Sequence, residues 1–508
     1  MDGRLLSVLI FLPAAGAVLI GLLIPRSRES GIRWAGLLTS LATLAVAVKV
    51  FRAFDATSGS FQLAERVVWV PTLGVGYTVA VDGISLLLVG LTAVLFPIAL
   101  LGSWASIAER VKAFTLAMLG LETAVLGTFL SLDLILFYVF WEAVLIPMAF
   151  LIGLWGGPNR RYAAIKFFLY TMAASVLMLI AIFAVHAAGA GQLGERTFDL
   201  VRLAEMRLPA GAQAWLFAAF ALAFAVKVPV WPLHTWLPDA HTEAPTAGSV
   251  ILAALLLKLG TYGFMRFGPM LFPDALVAAS PLIAGLAIVG ILYGGIVSWA
   301  QSDLKRLIAF SSVSHLGFVM LGIAALNTQG FQGSLIQMIN HGVSTGALFL
   351  IVGVLYDRTH SREIADYGGV ATLMPRFAAL FTIVLLSSAA LPGTNGFVGE
   401  FLILLGAFKQ SPWWAALGVG GVILSATYLL WAYQQVMHGP AVAKHQDRLV
   451  DVTGTEMLVF APLVALIFAI GLHPAPLLDR SAAAVEATLQ RLARPTATVV
   501  PPAQTMRR

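Results

Sequence analysis

Apolar residues in this chain run in blocks of roughly 20, broken by short polar connections, with no long amphipathic period between them. At about 20 residues per bilayer crossing, the blocks predict about 14 transmembrane helices. The expected spans are 4–25, 32–52, 82–104, 112–131, 133–155, 162–187, 212–237, 246–267, 279–300, 306–326, 334–356, 374–408, 413–436 and 454–474. The first, LLSVLIFLPAAGAVLIGLLI, is longer than a signal-peptide core and lacks a small-residue cleavage site, so it is read as a retained helix. The fold class is an all-α polytopic membrane protein.

Two blocks are interrupted. Span seven runs into KVPVWPLHTWLP, where Pro229 and Pro232 each remove a backbone donor. Span twelve contains LPGTNGFVGEF, with Pro392, Gly393, Gly396 and Gly399 ahead of Glu400. A helix broken at membrane depth survives only when it is buried in protein or lines a wet cavity. Each break adjoins an ionisable residue, which favours an ion path over a plain kink.

Spacing adds a hint of repetition. Glu142 and His315 lie 173 positions apart, and so do Lys227 and Glu400. Two five-helix units, spans 4–8 and 9–13, would give that offset, and an odd helix number would invert the second unit. The expected division is an N-terminal three-helix segment at 1–111, repeats at 112–267 and 279–436, and a last helix with its tail at 437–508. The tail offers at most a short surface helix through Val485, Leu489 and Leu492.

Charge sets the expected orientation. Loops on one side carry Arg26, Arg28, Arg33, Arg110, Lys112, Arg160, Arg161, Lys305, Arg306, Arg358, Arg362, Arg376, Lys444 and Arg448. The positive-inside rule then puts both termini on the non-cytoplasmic side. The composition, 59% hydrophobic and 11% charged with mean hydropathy +0.90, excludes a soluble enzyme. The pI of about 9.6 comes from scattered loop residues with no basic run, so nucleic acid is not an expected partner and the lipid bilayer is. With no cysteine there are no disulfides, thiolate-held zinc or conventional iron–sulfur clusters, and the 9 histidines are too dispersed for a metal cage.

The charges inside the blocks are therefore the informative residues. Glu142, Lys227, Lys258 and Glu400 sit near the middle of apolar stretches, where a charge costs about 2.5–3.5 kcal/mol on the insertion scale. A carboxylate near a buried lysine can switch it between holding and releasing a proton, so Glu142 beside Lys227 would load or unload that amine. Lys258 would relay along the midplane. His315 in FSSVSHLGF and His341 in QMINHGVSTGALF titrate near neutrality. Ser311, Ser312, Ser344 and Thr345 add hydroxyls, and Glu400 would be the terminal acceptor. The plainer readings are a static Glu142–Lys227 ion pair and satisfied core histidines. Glu122 in span four is either an accessory site or a bond to a neighbouring helix. Lys166 is an accessory site or a side chain snorkelling to the interface. Asp303, Lys305 and Arg306 read as a loop cluster, and Trp141, Trp231 and Trp236 as packing residues.

FYVFWEAVLIPMAFLIGLWGG, AFAVKVPVWPLHTWLPDAHTEAPTAGSVILAALLLKLGTYGFMRF, SDLKRLIAFSSVSHLGFVMLG and NHGVSTGALFL closely resemble the antiporter-like membrane subunits of respiratory complex I, over nearly the whole chain. Glu400, where the L- and N-type subunits typically have lysine, and the short tail make it most similar to the M-type (ND4-type) chains. The resemblance implies 14 helices with two inverted repeats and a proton relay through Glu142, Lys227, Lys258, His315, His341 and Glu400. It also implies L- and N-type neighbours on either side. NADH, FMN, iron–sulfur clusters and quinone would be handled by partner subunits, with no cofactor or metal in this chain. The implied location is a bacterial cytoplasmic (inner) membrane. The same fold serves multisubunit Na+/H+ antiporters and energy-converting membrane hydrogenases; a proton-inert scaffold is the remaining alternative.

Overall fold

The structure is a computed structural model describing residues 2–440, 442 and 447–493. Lys444, counted above among the loop charges, and tail residues 494–508 lie outside the described residues. Thirteen helices are long and apolar enough to cross a membrane among the described residues. The expected span twelve supplies the remaining crossing as two shorter helices, which accounts for the expected 14.

The first half comprises α1 (Leu5–Leu23), α2 (Glu29–Ala53), a hairpin of β1 (Gln62–Val70) and β2 (Val75–Val81), α3 (Gly83–Gly102), α4 (Val111–Leu130), and α5 (Leu134–Ala143) continued by α6 (Leu145–Trp155). Then come α7 (Arg160–Leu193), α8 (Leu200–Leu203), α9 (Ala210–Lys227), α10 (Trp236–Glu243) and α11 (Thr246–Ile251). A π-helical turn, Leu252–Leu256, joins α11 to α12 (Leu257–Leu271). The second half comprises α13 (Pro273–Trp299), α14 (Leu304–Ala324), α15 (Thr328–Thr359), α16 (Val370–Leu373), α17 (Pro375–Ser388), α18 (Asn395–Gln410), α19 (Pro412–His438), α20 (Gly454–Leu472) and α21 (Ala475–Leu492).

Three features depart from the expected pattern. The 53–81 connection holds the antiparallel hairpin, with Val67 opposite Tyr77, a ladder the apolar blocks did not announce. Span seven continues past its break as α10, to Glu243 instead of 237. The tail helix is a full 18 residues, and it packs on α3 and α15 with Val485 completely buried. At the first of these contacts the Arg480 carbonyl approaches so closely that a Cβ on Gly83 would stand 2.3 Å from it.

Layering follows from composition around each helix. The apolar middles of the crossings at Thr246–Leu271, Leu304–Ala324 and Thr328–Thr359 are wholly buried inside the protein, whereas those of α1, α2 and α20 are mostly open to the surroundings. Helices apolar all round belong either in lipid or in a core, and only polar partners justify polar residues on them. The three interior crossings carry Lys258, His315 and His341.

A buried ion pair ties the hairpin side of the bundle together. Asp82 caps α3 by accepting from the amides of Ile84 and Ser85. Its two carboxylate oxygens also accept from Arg266 Nη1 and Nη2 of α12 at 2.7 and 2.6 Å, with both side chains almost fully buried. Removing one partner of such a pair strands the other charge, which typically costs about 3–5 kcal/mol. Arg266→Met should therefore destabilise the chain by about that much, read as lost assembly on blue-native gels, and Asp82→Asn in the same chain should restore much of it. A double variant no more stable than Arg266→Met would show that the pair is not what holds α3 to α12.

Candidate functional site

The site residues fall into two groups. The first surrounds the break that ends α9. Lys227, 2% exposed, is the last residue of that helix. Its Nζ stands 4.3 Å from the Trp141 ring centroid and 3.5 Å from the Trp141 carbonyl oxygen. Glu142, half-buried and set against Ser175 of α7, is within electrostatic reach of Lys227 but forms no salt bridge with it among the described residues. Its Oε1 is buried without a hydrogen-bond partner. The static ion pair is thus not what the fold makes. Trp141, read above as packing, instead presents its π-face to the ammonium, a contact that strengthens when desolvated.

The second group is continuous. Lys258 Nζ sits 2.5 Å from His341 Nδ1 and 2.5 Å from the Ala253 carbonyl. The π-turn widens the helix just ahead of Lys258 and leaves that carbonyl facing the ammonium; π-turns of this kind are frequent at functional sites. The rings of His341 and His315 meet edge to face with centroids 5.8 Å apart. A cavity of about 10 Å³ lies between them, about the size of one water, lined by Asn340, Ser344, Thr345, Ser387, Ser388 and Gly396 among others. His315 Nδ1 is 3.0 Å from Glu400 Oε1, which also accepts from Gln337 Nε2 at 3.1 Å. Lys258, His315, His341 and Glu400 are all at most 3% exposed.

The break between α17 and α18 is sealed by side chains. Asn395 accepts from the Ser387 and Ser344 hydroxyls and donates to the Asn340 carbonyl, while Asn340 Nδ2 donates to the Asn395 carbonyl at 2.7 Å. This clasp on α15 fixes the start of α18 and so the position of Glu400 one turn on. The chain at the break takes left-handed backbone at Ala390 and Gly393, φ 58° and 92°.

The remaining expected residues are dispersed. Glu122 lies at the α2–α4 contact, where it accepts from Ser40 Oγ at 3.0 Å. Lys166 pairs with Asp239 of α10 at 2.7 Å, a fixed contact in place of free snorkelling. Ser311 and Ser312 donate to the Ile308 carbonyl of their own helix. Ser344 and Thr345 do line the cavity between the histidines. Lys227 and Lys258 share no hydrogen-bond partner among the described residues. Between them α9 and α12 meet so closely that a Cβ on Gly260 would stand 2.6 Å from the Phe224 carbonyl. Gln337, Asn340 and Asn395 escaped the sequence reading because neutral amides carry no insertion cost large enough to single them out. Lys305, read as part of a loop cluster, is buried, with Nζ 2.5 Å from the Ala244 carbonyl.

Comparison with known proteins bears on this arrangement. The sequence profile of the NADH:quinone oxidoreductase/Mrp antiporter transmembrane family matches residues 131–425. The NADH-quinone oxidoreductase subunit M of Rhodobacter capsulatus is 45% identical over 490 residues, 94% of each chain. NADH-ubiquinone oxidoreductase chain 4 of Arabidopsis thaliana is 42% identical over 93% of this chain and 94% of its own length. A chain in the structure of respiratory complex I from Thermus thermophilus with bound NADH superposes with a TM-score of 0.86 at 34% identity, over 96% of this chain and 99% of that one.

The clasp gives a direct test. Asn395→Ala should leave the Ser344 and Ser387 hydroxyls and the Asn340 carbonyl without the partners that the side chain supplies, at about 1–3 kcal/mol, and should loosen the start of α18. Thermal unfolding of the purified complex should fall, with quinone-linked turnover lowered beyond any loss of assembly. Unchanged stability and turnover would mean that the break is held by backbone packing alone.

Proposed function

The chain belongs to the subunit M family of NADH-quinone oxidoreductase, and we propose that it carries protons through the membrane arm of that complex by a relay of Glu142, Lys227, Lys258, His341, His315 and Glu400. The observation that carries this reading is the line of buried, protonatable groups from Lys258 to His341 and from His315 to Glu400, the two histidines meeting across a water-sized cavity. NADH oxidation and quinone reduction belong to partner subunits, with antiporter-like chains as neighbours in the arm. The chain would reside in a bacterial cytoplasmic membrane with both termini on the non-cytoplasmic side, its repeats at 112–267 and 279–436 inverted relative to each other.

Hydrogen-bond partners assign the tautomers along this line. His341 Nδ1 faces an ammonium and must accept, so its proton sits on Nε2. His315 Nδ1 faces a carboxylate and must donate, so its Nε2 is an acceptor. Neither Nε2 has a protein partner, and both rings border the water-sized cavity. A water there would join donor to acceptor. All donors then point from Lys258 toward Glu400. When the Lys258 ammonium gives a proton to His341 Nδ1, His341 releases its Nε2 proton to the water, the water passes one to His315 Nε2, and His315 delivers its Nδ1 proton to Glu400. One proton leaves Lys258 and one arrives on Glu400, with both rings neutral and their tautomers reversed.

The first group is the switch that sets when this happens. The Trp141 face and the field of Glu142 favour the Lys227 cation against the cost of its burial. A change in the charge of Glu142 alters how firmly Lys227 holds its proton, and without a rigid salt bridge that response stays available. Ser344 and Thr345 line the cavity, Glu122 and Lys166 bond neighbouring helices, and Ser311 and Ser312 bond a carbonyl of their own helix.

The family profile also covers Mrp antiporters, which would exchange Na+ for H+ without redox coupling. Relatives of 42–45% identity named as complex I subunits, and a chain of amine and imidazole ligands poorly suited to Na+, favour the complex I role. A proton-inert scaffold has no use for this line of charges.

Lys258→Ala, in membranes from a strain carrying the variant at its native locus, should leave the complex assembled and cut NADH-driven quinone reduction and proton uptake together by tenfold or more. Glu400→Gln should do the same, since the amide accepts no proton from His315. Assembled complex with both activities near those of the parent would sink the relay.

A further inference from the structure

Four residues that line the water-sized cavity each hold a buried side-chain atom with no hydrogen-bond partner among the described residues. The atoms are His341 Nε2 and Asn340 Oδ1 on α15, His315 Nε2 on α14 and Ser388 Oγ at the end of α17. Buried polar atoms in native proteins are nearly always paired, so four such atoms around one cavity point to a shared partner. The cavity, about 10 Å³, has room for one water and not for two.

Their hydrogen-bond roles are complementary. His341 Nε2 is a donor and His315 Nε2 an acceptor, because the Nδ1 atoms of the two rings face Lys258 and Glu400. Asn340 Nδ2 donates to the Asn395 carbonyl at 2.7 Å and to Gln337 Oε1 at 3.3 Å, which fixes the amide orientation and leaves Oδ1 as an acceptor. Ser388 makes none of the bonds to carbonyls of its own helix that Ser311, Ser312 and Thr382 make, so its hydroxyl is free to donate. Two donors and two acceptors are what one water can satisfy at once. The two neutral residues also belong to the two sides of the second break. Ser388 is the last residue of α17, and Asn340 is bonded to Asn395, the first residue of α18.

We propose that Asn340 and Ser388 are positioning residues that hold a single water between His341 and His315, so that the second break sets the geometry of the transfer as well as the place of Glu400. The proposal rests on the relay reading above. The water accepts from His341 Nε2 and the Ser388 hydroxyl, and it donates to His315 Nε2 and Asn340 Oδ1. In the transfer it takes the His341 Nε2 proton and passes one of its own to His315 Nε2, ending as neutral water. An amide oxygen is a hydrogen-bond acceptor and does not titrate near neutrality, so the hydrogen aimed at Asn340 stays with the water. A water held by the two rings alone would be free to turn away from His315.

The test follows quinone reduction, proton uptake and the solvent deuterium isotope effect in native membranes carrying Ser388→Ala, Asn340→Ala, both together, or Lys258→Ala. The Ser388 hydroxyl has no partner to lose among the described residues, so a packing role predicts no change in Ser388→Ala. The expected result is an assembled complex with coupled turnover lowered about fivefold and a larger isotope effect. Because both side chains hold the same water, the double variant should be no slower than Asn340→Ala, which also opens the clasp. Parental turnover and isotope effect in Ser388→Ala, or losses that multiply in the double variant, would overturn the water site, and an inactive Lys258→Ala would then leave the relay standing. A silent Lys258→Ala would overturn both. A direct view covers the case in which the variants fail to assemble. A single-particle reconstruction of the parent complex, fine enough to show waters, should place one peak within hydrogen-bond reach of His341 Nε2, His315 Nε2, Asn340 Oδ1 and Ser388 Oγ. No peak there, or one that reaches only the rings, would overturn the proposal.

Discussion

The need to satisfy every polar group inside hydrocarbon governs this structure. A broken helix at bilayer depth exposes carbonyls and amides that lipid cannot pair. Asn395 and Asn340 answer that demand at the second break by exchanging hydrogen bonds between side chain and backbone, with Ser344 and Ser387 completing the set. At the first break, the Trp236 indole donates to the Val226 carbonyl and the Val230 amide to that of Ala225. Because these clasps are directional, they fix where Lys227 and Glu400 point, and the relay proposed above depends on them.

The same constraint explains why Lys258, His315 and His341 sit on the most enclosed helices. Lys258, His315 and His341 lie on crossings wholly covered by other helices, so each finds a protein partner in place of lipid. The helices around them act as insulation. Close contact such as that at Gly260 leaves little room between the Lys227 and Lys258 groups, and a water-sized cavity borders the two histidines. Between the Lys227 and Lys258 groups no hydrogen-bond partner is shared among the described residues, so in the proposed relay the coupling across that gap would be electrostatic. A field needs no bonded path, and it falls off slowly in a medium of low dielectric.

Much of this was legible in the chain. Block length gave the crossings, and the cost of a buried charge picked out Glu142, Lys227, Lys258 and Glu400 without a structure. Less was legible wherever partner choice mattered. Trp141 looked like packing because an indole beside a lysine in sequence space carries no distance. Lys305 looked like a loop charge because it sits among Asp303 and Arg306 near a helix start, and only the fold turns it inward to Ala244. The amides of Gln337, Asn340 and Asn395 gave no signal of their own, since their importance is a matter of which atoms face them.

The sequence by itself determined that this is a membrane protein of about 14 crossings with two broken helices and a few charges kept at depth, because hydrocarbon penalises composition locally and each residue feels that penalty regardless of its neighbours. Only the tertiary structure decided that Lys258, His341, His315 and Glu400 lie in one row while Glu142 and Lys227 form no salt bridge, and that Glu122 bonds Ser40 of α2. Proton transfer works over hydrogen-bond distances, and those are set by how helices far apart in the chain pack against one another.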